Sequence, residues 1–252
     1  MQPFTWETSD AHSILNSANI QLSRRLAHGV SGSASYTLSK SMDDSPSLGG
    51  GQTVAQDPQN LAAEYSLSNF DRRHQFTGNL FIELPWGANR RWLHKGGFFT
   101  NVLGDWSASF VFTAQSGTPL TARVVGAATS VAQGTSGALR ADYSGAPVTV
   151  SDPSIGEFFN TAAFSVPAVG TFGDETRNMI VGPGSHQINA QFVRDIRLGG
   201  NKALTLQVNA INLFSTVQWA SIGTNINSPI TFGQVLTVRP RRTMTINARF
   251  RF

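Results

Sequence analysis

The chain has 252 residues, of which 13% are charged and 40% hydrophobic, and its formal net charge is +4. This length suits one large all-β domain or two small ones, and the charged share is about half that of a soluble globular domain. A run of about 20 apolar residues occurs nowhere, which excludes a helical membrane protein. The mean hydropathy of −0.13 suits a chain whose apolar residues stand at alternate positions.

The chain contains no cysteine, which excludes disulfides and thiolate metal sites. Its basic residues are scattered, apart from short groups at 72–73, 90–91 and 239–242. Nucleic-acid binding needs a continuous basic stripe, which is absent, so no nucleic-acid partner is expected.

Alternation of apolar and polar residues predicts a hairpin near the beginning of the chain. Its strands are 16–28 and 30–40, joined by a tight turn at His28-Gly29. Arg24 falls on the apolar face near the end of the first strand, where its long side chain can extend to a polar interface. The apolar face of the hairpin carries Ala18, Ile20, Leu22, Leu26, Val30, Ala34, Tyr36 and Leu38.

Four further strands are predicted over 74–84, 104–116, 186–198 and 202–214. Glycine-rich turns follow two of them, at Pro85-Trp86-Gly87 and at Gly199-Gly200-Asn201. Their apolar faces carry Phe76, Leu80, Ile82 and Leu84; Trp106, Ala108, Phe110, Phe112 and Ala114; Ile188, Ala190, Phe192, Ile196 and Leu198; and Leu204, Leu206, Val208 and Ala210. Each strand therefore has one apolar and one polar face.

The seventh predicted strand, 244–252, alternates without a break to the last residue of the chain. Its apolar face consists of Met244, Ile246, Ala248, Phe250 and Phe252, and its polar face of Thr245, Asn247, Arg249 and Arg251. A period of two places one face against an apolar medium and the other against a polar one. The strand resembles the closing, membrane-insertion strand of a bacterial outer-membrane β-barrel, and an edge strand of a soluble sandwich is the alternative.

The connections between the seven predicted strands alternate in length. Tight turns follow the first and fifth strands, and the link 85–103 is of moderate length, whereas 41–73, 117–185 and 215–239 are long and irregular. Outer-membrane barrels place short turns in the periplasm and long loops outside the cell. The prediction is an all-β fold: an antiparallel transmembrane β-barrel segment of about seven long strands with short periplasmic turns and long extracellular loops, located in the outer membrane.

Short sequence blocks, in order and roughly in spacing, cover nearly the whole chain. They are 21–26, 34–44, 67–74, 83–87, 113–119, 158–164, 170–173, 177–178, 182–184 and 210–214. Together these blocks resemble the C-terminal barrel region of Oar-like TonB-dependent receptors, the type with a carboxypeptidase-regulatory-like N-terminal domain. The resemblance implies a plugged barrel of about 22 strands.

On this resemblance, residues 1–252 are the C-terminal part of such a barrel, and the plug, the TonB-contacting motif and the signal peptide lie upstream. The first seven residues indeed have neither the basic nor the apolar region of a secretory signal. The implied function is active uptake of a bulky nutrient. The implied partners are outer-membrane lipid, the barrel-assembly machinery, the TonB system through the missing plug, and an unknown nutrient ligand.

The residues offer no catalytic, cofactor-binding or metal-binding constellation, so the protein is not expected to be an enzyme. His74, after Asp71-Arg72-Arg73, is interpreted as a charge-paired loop anchor. Asp43-Asp44 is interpreted as a solvated loop in preference to a Ca²⁺ site. Arg249 and Arg251 are possible lumen contacts that pair with plug carboxylates, or else hydrate the rim. Interfacial anchors are predicted at Tyr36, Trp86, Trp106, Phe250 and Phe252.

Two alternatives remain open. One is a small self-contained outer-membrane barrel of about eight strands with a structural or adhesive role. It requires an additional strand from residues 1–15, for which Phe4, Trp6 and Ile14 are the apolar candidates. The other is a soluble all-β module that binds glycans.

Overall fold

The computed structural model of the protein describes residues 10–45, 55–87, 92, 104–125 and 139–252. In these residues the chain forms strands and two short 3₁₀ helices, Leu61–Glu64 and Thr161–Ala163. The strands are β1 (Ser13–Ala27), β2 (Val30–Asp43), β3 (Ser66–Leu67), β4 (His74–Glu83), β5 (Trp106–Gln115), β6 (Pro119–Leu120), β7 (Asp142–Tyr143), β8 (Phe164–Ser165), β9 (Ile180–Val181), β10 (Ser185–Gly199), β11 (Lys202–Ile211), β12 (Trp219–Ile222), β13 (Val235–Val238) and β14 (Thr243–Arg251).

The main sheet follows the order of the chain. Its path is β1-β2-β4-β5-β10-β11-β14, all neighbours are antiparallel, and β3 adds a short pairing to β2. The seven long strands are the seven predicted from alternation, with ends that differ by a few residues. No helix in the described part of the chain has the length and hydropathy needed to span a bilayer.

The register keeps the two faces of the sheet distinct across all seven long strands. Outside the two tight turns, every pairing between these strands joins two even-numbered or two odd-numbered residues. On the even face, Ala108 lies opposite Phe192, which lies opposite Val208. Because a shift of one residue would reverse a strand's faces, this common register produces one continuous apolar surface.

The odd-numbered face is mainly polar. Gln191 lies opposite Asn209, which lies opposite Thr245, and the Nε2 atoms of Gln191 and Gln207 donate to Asn209 Oδ1 over 3.1 and 2.9 Å. The three carboxylates within the seven strands, Asp43, Glu83 and Asp195, are all odd-numbered. Phe81, Val111 and Val193 are apolar exceptions on this face.

The links between long strands lie at opposite ends of the sheet according to their length. At one end, Ala27 pairs with Val30 and Gly199 with Lys202, so the first and fifth predicted links are tight turns. His28 and Gly29 have φ values of 53° and 77°, a left-handed conformation that glycine accepts without steric cost. The link after β4 also lies at this end, although 88–91 and 93–103 are outside the described residues.

The sheet is not closed, because β1 and β14 have a neighbour on one side only among the described residues. Every residue of both strands is exposed. Ile14, a candidate for an additional strand in the small-barrel alternative, belongs to β1, whereas Phe4 and Trp6 lie outside the described residues.

The apolar core of the molecule lies in the long links, away from the sheet. It consists of Ala122, Ala141, Phe159, Ala163, Phe164, Ile180, Ile222 and Phe232. Phe159 contacts Phe164 and Phe232 edge to face, with ring centroids 5.7 and 5.3 Å apart. The prediction of an irregular stretch over 117–185 therefore missed its packing: β6 to β9 are only two residues long each, but they bring distant segments together around these rings.

Candidate functional site: the buried polar network of the long loops

A chain of buried charges connects the long loops to the end of β2. Arg177 Nη2 lies 2.6 Å from Asp43 Oδ1, and its Nε lies 3.9 Å from Glu64 Oε2. Arg140 Nη1 lies 2.7 Å from Glu64 Oε1. These four side chains are 3–5% exposed. In this row of four side chains, negative and positive charges alternate and the net charge is zero. Low-dielectric surroundings require such pairing.

Backbone carbonyls also accept hydrogen bonds from the two arginines, although Arg177 Nη1 is buried without a partner among the described residues. Arg177 Nε donates to Glu64 O over 3.0 Å, and Arg140 Nε donates to Glu175 O over 2.9 Å. The partners come from the end of β2, from the first 3₁₀ helix and from the segment before β9. The two guanidinium groups therefore fix segments that are more than a hundred residues apart in the sequence.

Gln56 connects the ion pairs to the backbone of a neighbouring segment. Its N–H donates to Glu64 Oε1 over 2.9 Å, its Nε2 donates to Gly173 O over 2.7 Å, and its Oε1 accepts from Arg140 N over 2.7 Å. A Cβ at position 173 would overlap the carbonyl oxygens of Arg140 and Ala141. Glycine at this position allows the close backbone approach on which these hydrogen bonds depend.

Asn178 extends the network to the segment before β4. Its Nδ2 donates to Leu67 O over 2.6 Å and to Asn69 Oδ1 over 2.7 Å. Its backbone is left-handed, with a φ of 64°, a conformation that asparagine tolerates better than most residues. Asp71 in the same segment accepts from Ser41 N over 2.6 Å. The 67–74 segment is thus fixed at both of its ends.

Glu175 is a buried carboxyl group in the centre of the loop core. Its Oε1 accepts from Ala122 N over 3.0 Å, and its N–H donates to Ala141 O over 3.0 Å. Burial raises its pKa to about 8, although the Ala122 hydrogen bond and the charge of Arg140 favour the ionised form. At pH 7 the group is therefore mainly protonated, and its Oε2 has no hydrogen-bond partner among the described residues.

The predicted insertion strand corresponds to β14 and Phe252. Met244, Ile246, Ala248 and Phe250 pair with residues of the β11 apolar face, and the Phe250 and Phe252 rings stack at 6.1 Å. Their role in membrane insertion stays a prediction.

Arg249 and Arg251 lie on the polar face of the sheet, opposite Thr205 and Ala203. Both are exposed. Within the described residues neither takes part in an ion pair, so their pairing with plug carboxylates stays a prediction.

Two minor interpretations of loop residues are wrong. Among the described residues His74 does not pair with a carboxylate; its Nδ1 lies 2.7 Å from Tyr36 Oη, because the two side chains share the even face of adjacent strands. Asp43-Asp44 is not one solvated site: Asp43 is buried against Arg177, and Asp44 faces His12 at 3.3 Å. The described residues contain no cluster of three or more His, Asp or Glu that could hold a metal ion.

Sequence reasoning missed most of the buried network. Arg177 and Asn178 lie in a block that resembles Oar-like receptors. No sequence pattern pointed to the other members of the network, which are Gln56, Glu64, Arg140 and Glu175. Each stands alone in a polar segment without periodicity, and only the folded loops bring them together. Two-residue strands are too short to produce an alternating pattern.

The fold has a counterpart among protein families. A family model described as an outer membrane beta barrel domain matches residues 1–245. The chain belongs to this family and is an outer-membrane protein. No curated protein and no solved structure gives a significant match.

Membership of this family orients the molecule. The even, apolar face is the lipid-facing surface, the tight turns are periplasmic, and the long links are extracellular. The buried network therefore lies outside the cell. A soluble glycan-binding module does not agree with the family.

Replacing Arg177 by Ala is expected to open the extracellular loops. The change leaves Asp43 buried without its charge partner, and breaking a buried pair costs about 3–5 kcal/mol. We expect faster hydrogen exchange at loop amides around Ala122 and Asn178, with β10 and β11 unchanged. Arg197→Ala, which removes an exposed arginine from β10, is the matched control. Equal exchange in both variants would contradict the structural role of Arg177.

The protonation of Glu175 predicts a pH dependence of loop stability. Its folded pKa of about 8 lies above the ordinary glutamate pKa of 4.5, so the folded loops bind the proton more tightly than the unfolded ones. Its contribution is complete below about pH 4.5 and is lost as the pH rises towards 8. Loop exchange in the natural protein should accelerate over this range more than in Glu175→Gln, which has no charge to bury. Parallel pH profiles of the two proteins would show that Glu175 does not titrate with folding.

Proposed function

We propose that the chain forms part of a TonB-dependent outer-membrane receptor that takes up a bulky nutrient. The observation that carries the proposal is the open sheet. Its two edge strands present unpaired backbone groups, and the apolar side chains of its even face are suited to contact with lipid. Hydrocarbon satisfies no backbone hydrogen bond, so a spanning sheet must close. Further strands from a longer chain would close it into a large barrel.

The blocks that resemble Oar-like receptors support the same proposal. They include Asp43, the 67–74 segment, Gly173 and Arg177-Asn178, which belong to the buried extracellular network. In this proposal the network holds the loops in one arrangement around the ligand's entry route.

The proposed mechanism is transport without covalent chemistry. The extracellular loops 41–73, 117–185 and 215–239 form part of the surface that gathers the ligand. The plug of the receptor rearranges when TonB pulls on it. The ligand then passes along the polar odd face, whose Ser, Thr, Asn and Gln side chains are suited to a hydrated lumen. The barrel-assembly machinery is the proposed partner during insertion.

The proposal predicts that the protein, in the form that the cell makes, binds TonB. The natural protein, purified in detergent, should be retained on the immobilised periplasmic domain of TonB. An outer-membrane barrel without a plug is the matched control and should pass through. If the natural protein passes through as well, it is not a TonB-dependent receptor.

The small self-contained barrel is the second candidate, and the family description agrees with it equally well. Residues 1–252, refolded in detergent, distinguish the two. The receptor proposal predicts no compact form whose gel mobility changes on heating, because both edges remain unpaired. A heat-modifiable, protease-resistant form would favour the small barrel.

A further inference from the structure

A band of basic side chains follows the extracellular rim of the lipid-facing surface. Lys40 and His186 lie on the even face of β2 and β10, and His74 lies on the even face of β4. Arg72 lies two residues before the first residue of β4, and Arg242 directly precedes β14, so both are in step with the even-numbered residues. Lys40, His74, His186 and Arg242 are exposed.

The strand ends that carry this band are joined by hydrogen bonds. On one side, Ser39 Oγ donates to Arg72 O over 2.8 Å, and Ser116 N donates to His74 O over 2.9 Å. On the other side, Leu213 N donates to Ile188 O over 2.7 Å, and Arg242 Nη1 lies 3.5 Å from Leu213 O. The band therefore consists of side chains on or next to β2, β4, β10 and β14, whereas β5 and β11 contribute none at this end of the sheet.

Carboxylates do not neutralise this rim. The three carboxylates of the long strands are odd-numbered and point to the opposite face. Close to the rim, Asp43 is engaged by Arg177, Asp71 by Ser41 N, and Asp44 by His12. Lys40 and Arg242 thus keep their positive charges above an apolar surface that includes Leu38, Tyr36 and Met244, which are 36–57% exposed.

We propose that this basic rim binds the phosphate groups of outer-leaflet lipids. Positive charges at a membrane surface attract anionic headgroups, and the exposed apolar residues beneath them meet the acyl chains of the same lipid. Arg242 can approach a phosphate as a fork of donors, while Lys40 acts as a point charge. The site needs the outer-membrane location of the chain and the extracellular position of its long links, but it does not depend on the receptor proposal.

The test uses the natural protein in neutral detergent, with lipid A carrying both phosphates as the probe and its dephosphorylated form as the comparison. The phosphorylated form should bind more tightly. The double variant Lys40→Gln/Arg242→Gln should weaken this binding by about 30-fold, since each cation near a headgroup contributes about 1 kcal/mol. Both substitutions affect exposed side chains, and heat-modifiable gel mobility verifies folding of the variant.

The matched control is Arg24→Gln/Lys202→Gln, which removes two exposed cations from the periplasmic end of the sheet. Unchanged binding in this control, together with loss in the rim variant, supports the proposal. Equal binding of dephosphorylated lipid A would overturn it, as would an equal loss in both variants. A rim variant that changes only self-association, with lipid binding intact, would instead assign the rim to a second copy of the chain.

Discussion

Hydrocarbon offers no hydrogen bond to a backbone amide or carbonyl group, and this single constraint organises the molecule. A sheet that spans a membrane must satisfy every such group from a neighbouring strand. Between β1 and β14 the seven long strands do this in the simplest way, each pairing with the next long strand along the chain, and only the outer edges of β1 and β14 lack a neighbour among the described residues. The common register then follows, because a slip of one residue anywhere would turn apolar side chains inward and polar ones into lipid.

The same constraint explains where the apolar core lies. In a soluble sandwich, the two sheets bury their apolar faces against each other. Here lipid covers the apolar face, and the residues that pack against protein are in the extracellular loops. Phe159, Phe164 and Phe232 form the core of the loops, and Arg140 and Arg177 hold the segments around it. Loop order therefore depends on a few buried side chains and on paired strands of two to four residues, not on long regular elements.

We expect the buried charges in these loops to serve specificity more than stability. Two arginines and two carboxylates in low-dielectric surroundings repay their desolvation only when all four are in place. An incorrect loop arrangement would leave at least one charge unpaired and is strongly disfavoured. Glu175 avoids the same cost by a different route, since burial raises its pKa to about 8 and keeps it mainly neutral at pH 7.

The sheet could be predicted well because the two-residue period of a strand is visible in any short stretch of the sequence. Alternation in residues such as 30–40 and 244–252 identified strands, faces and links without knowledge of any contact. The loop network could not be predicted in this way. Glu64 and Arg140 are 76 residues apart, and their pairing depends on two-residue strands that leave no periodic trace. Alternation also does not specify which strands pair with each other, so it could not by itself locate the open edges of the sheet.

The orientation of the two faces is the central claim, and cysteine scanning tests it most directly. The 252 residues contain no native cysteine, so single cysteines can be placed at consecutive positions 206–209 of β11 and 245–248 of β14. In outer membranes, a lipid-soluble quencher should reach labels at even positions, and a water-soluble thiol reagent should react at odd ones. Labels that show no alternation, or alternation of the opposite phase, would contradict the account.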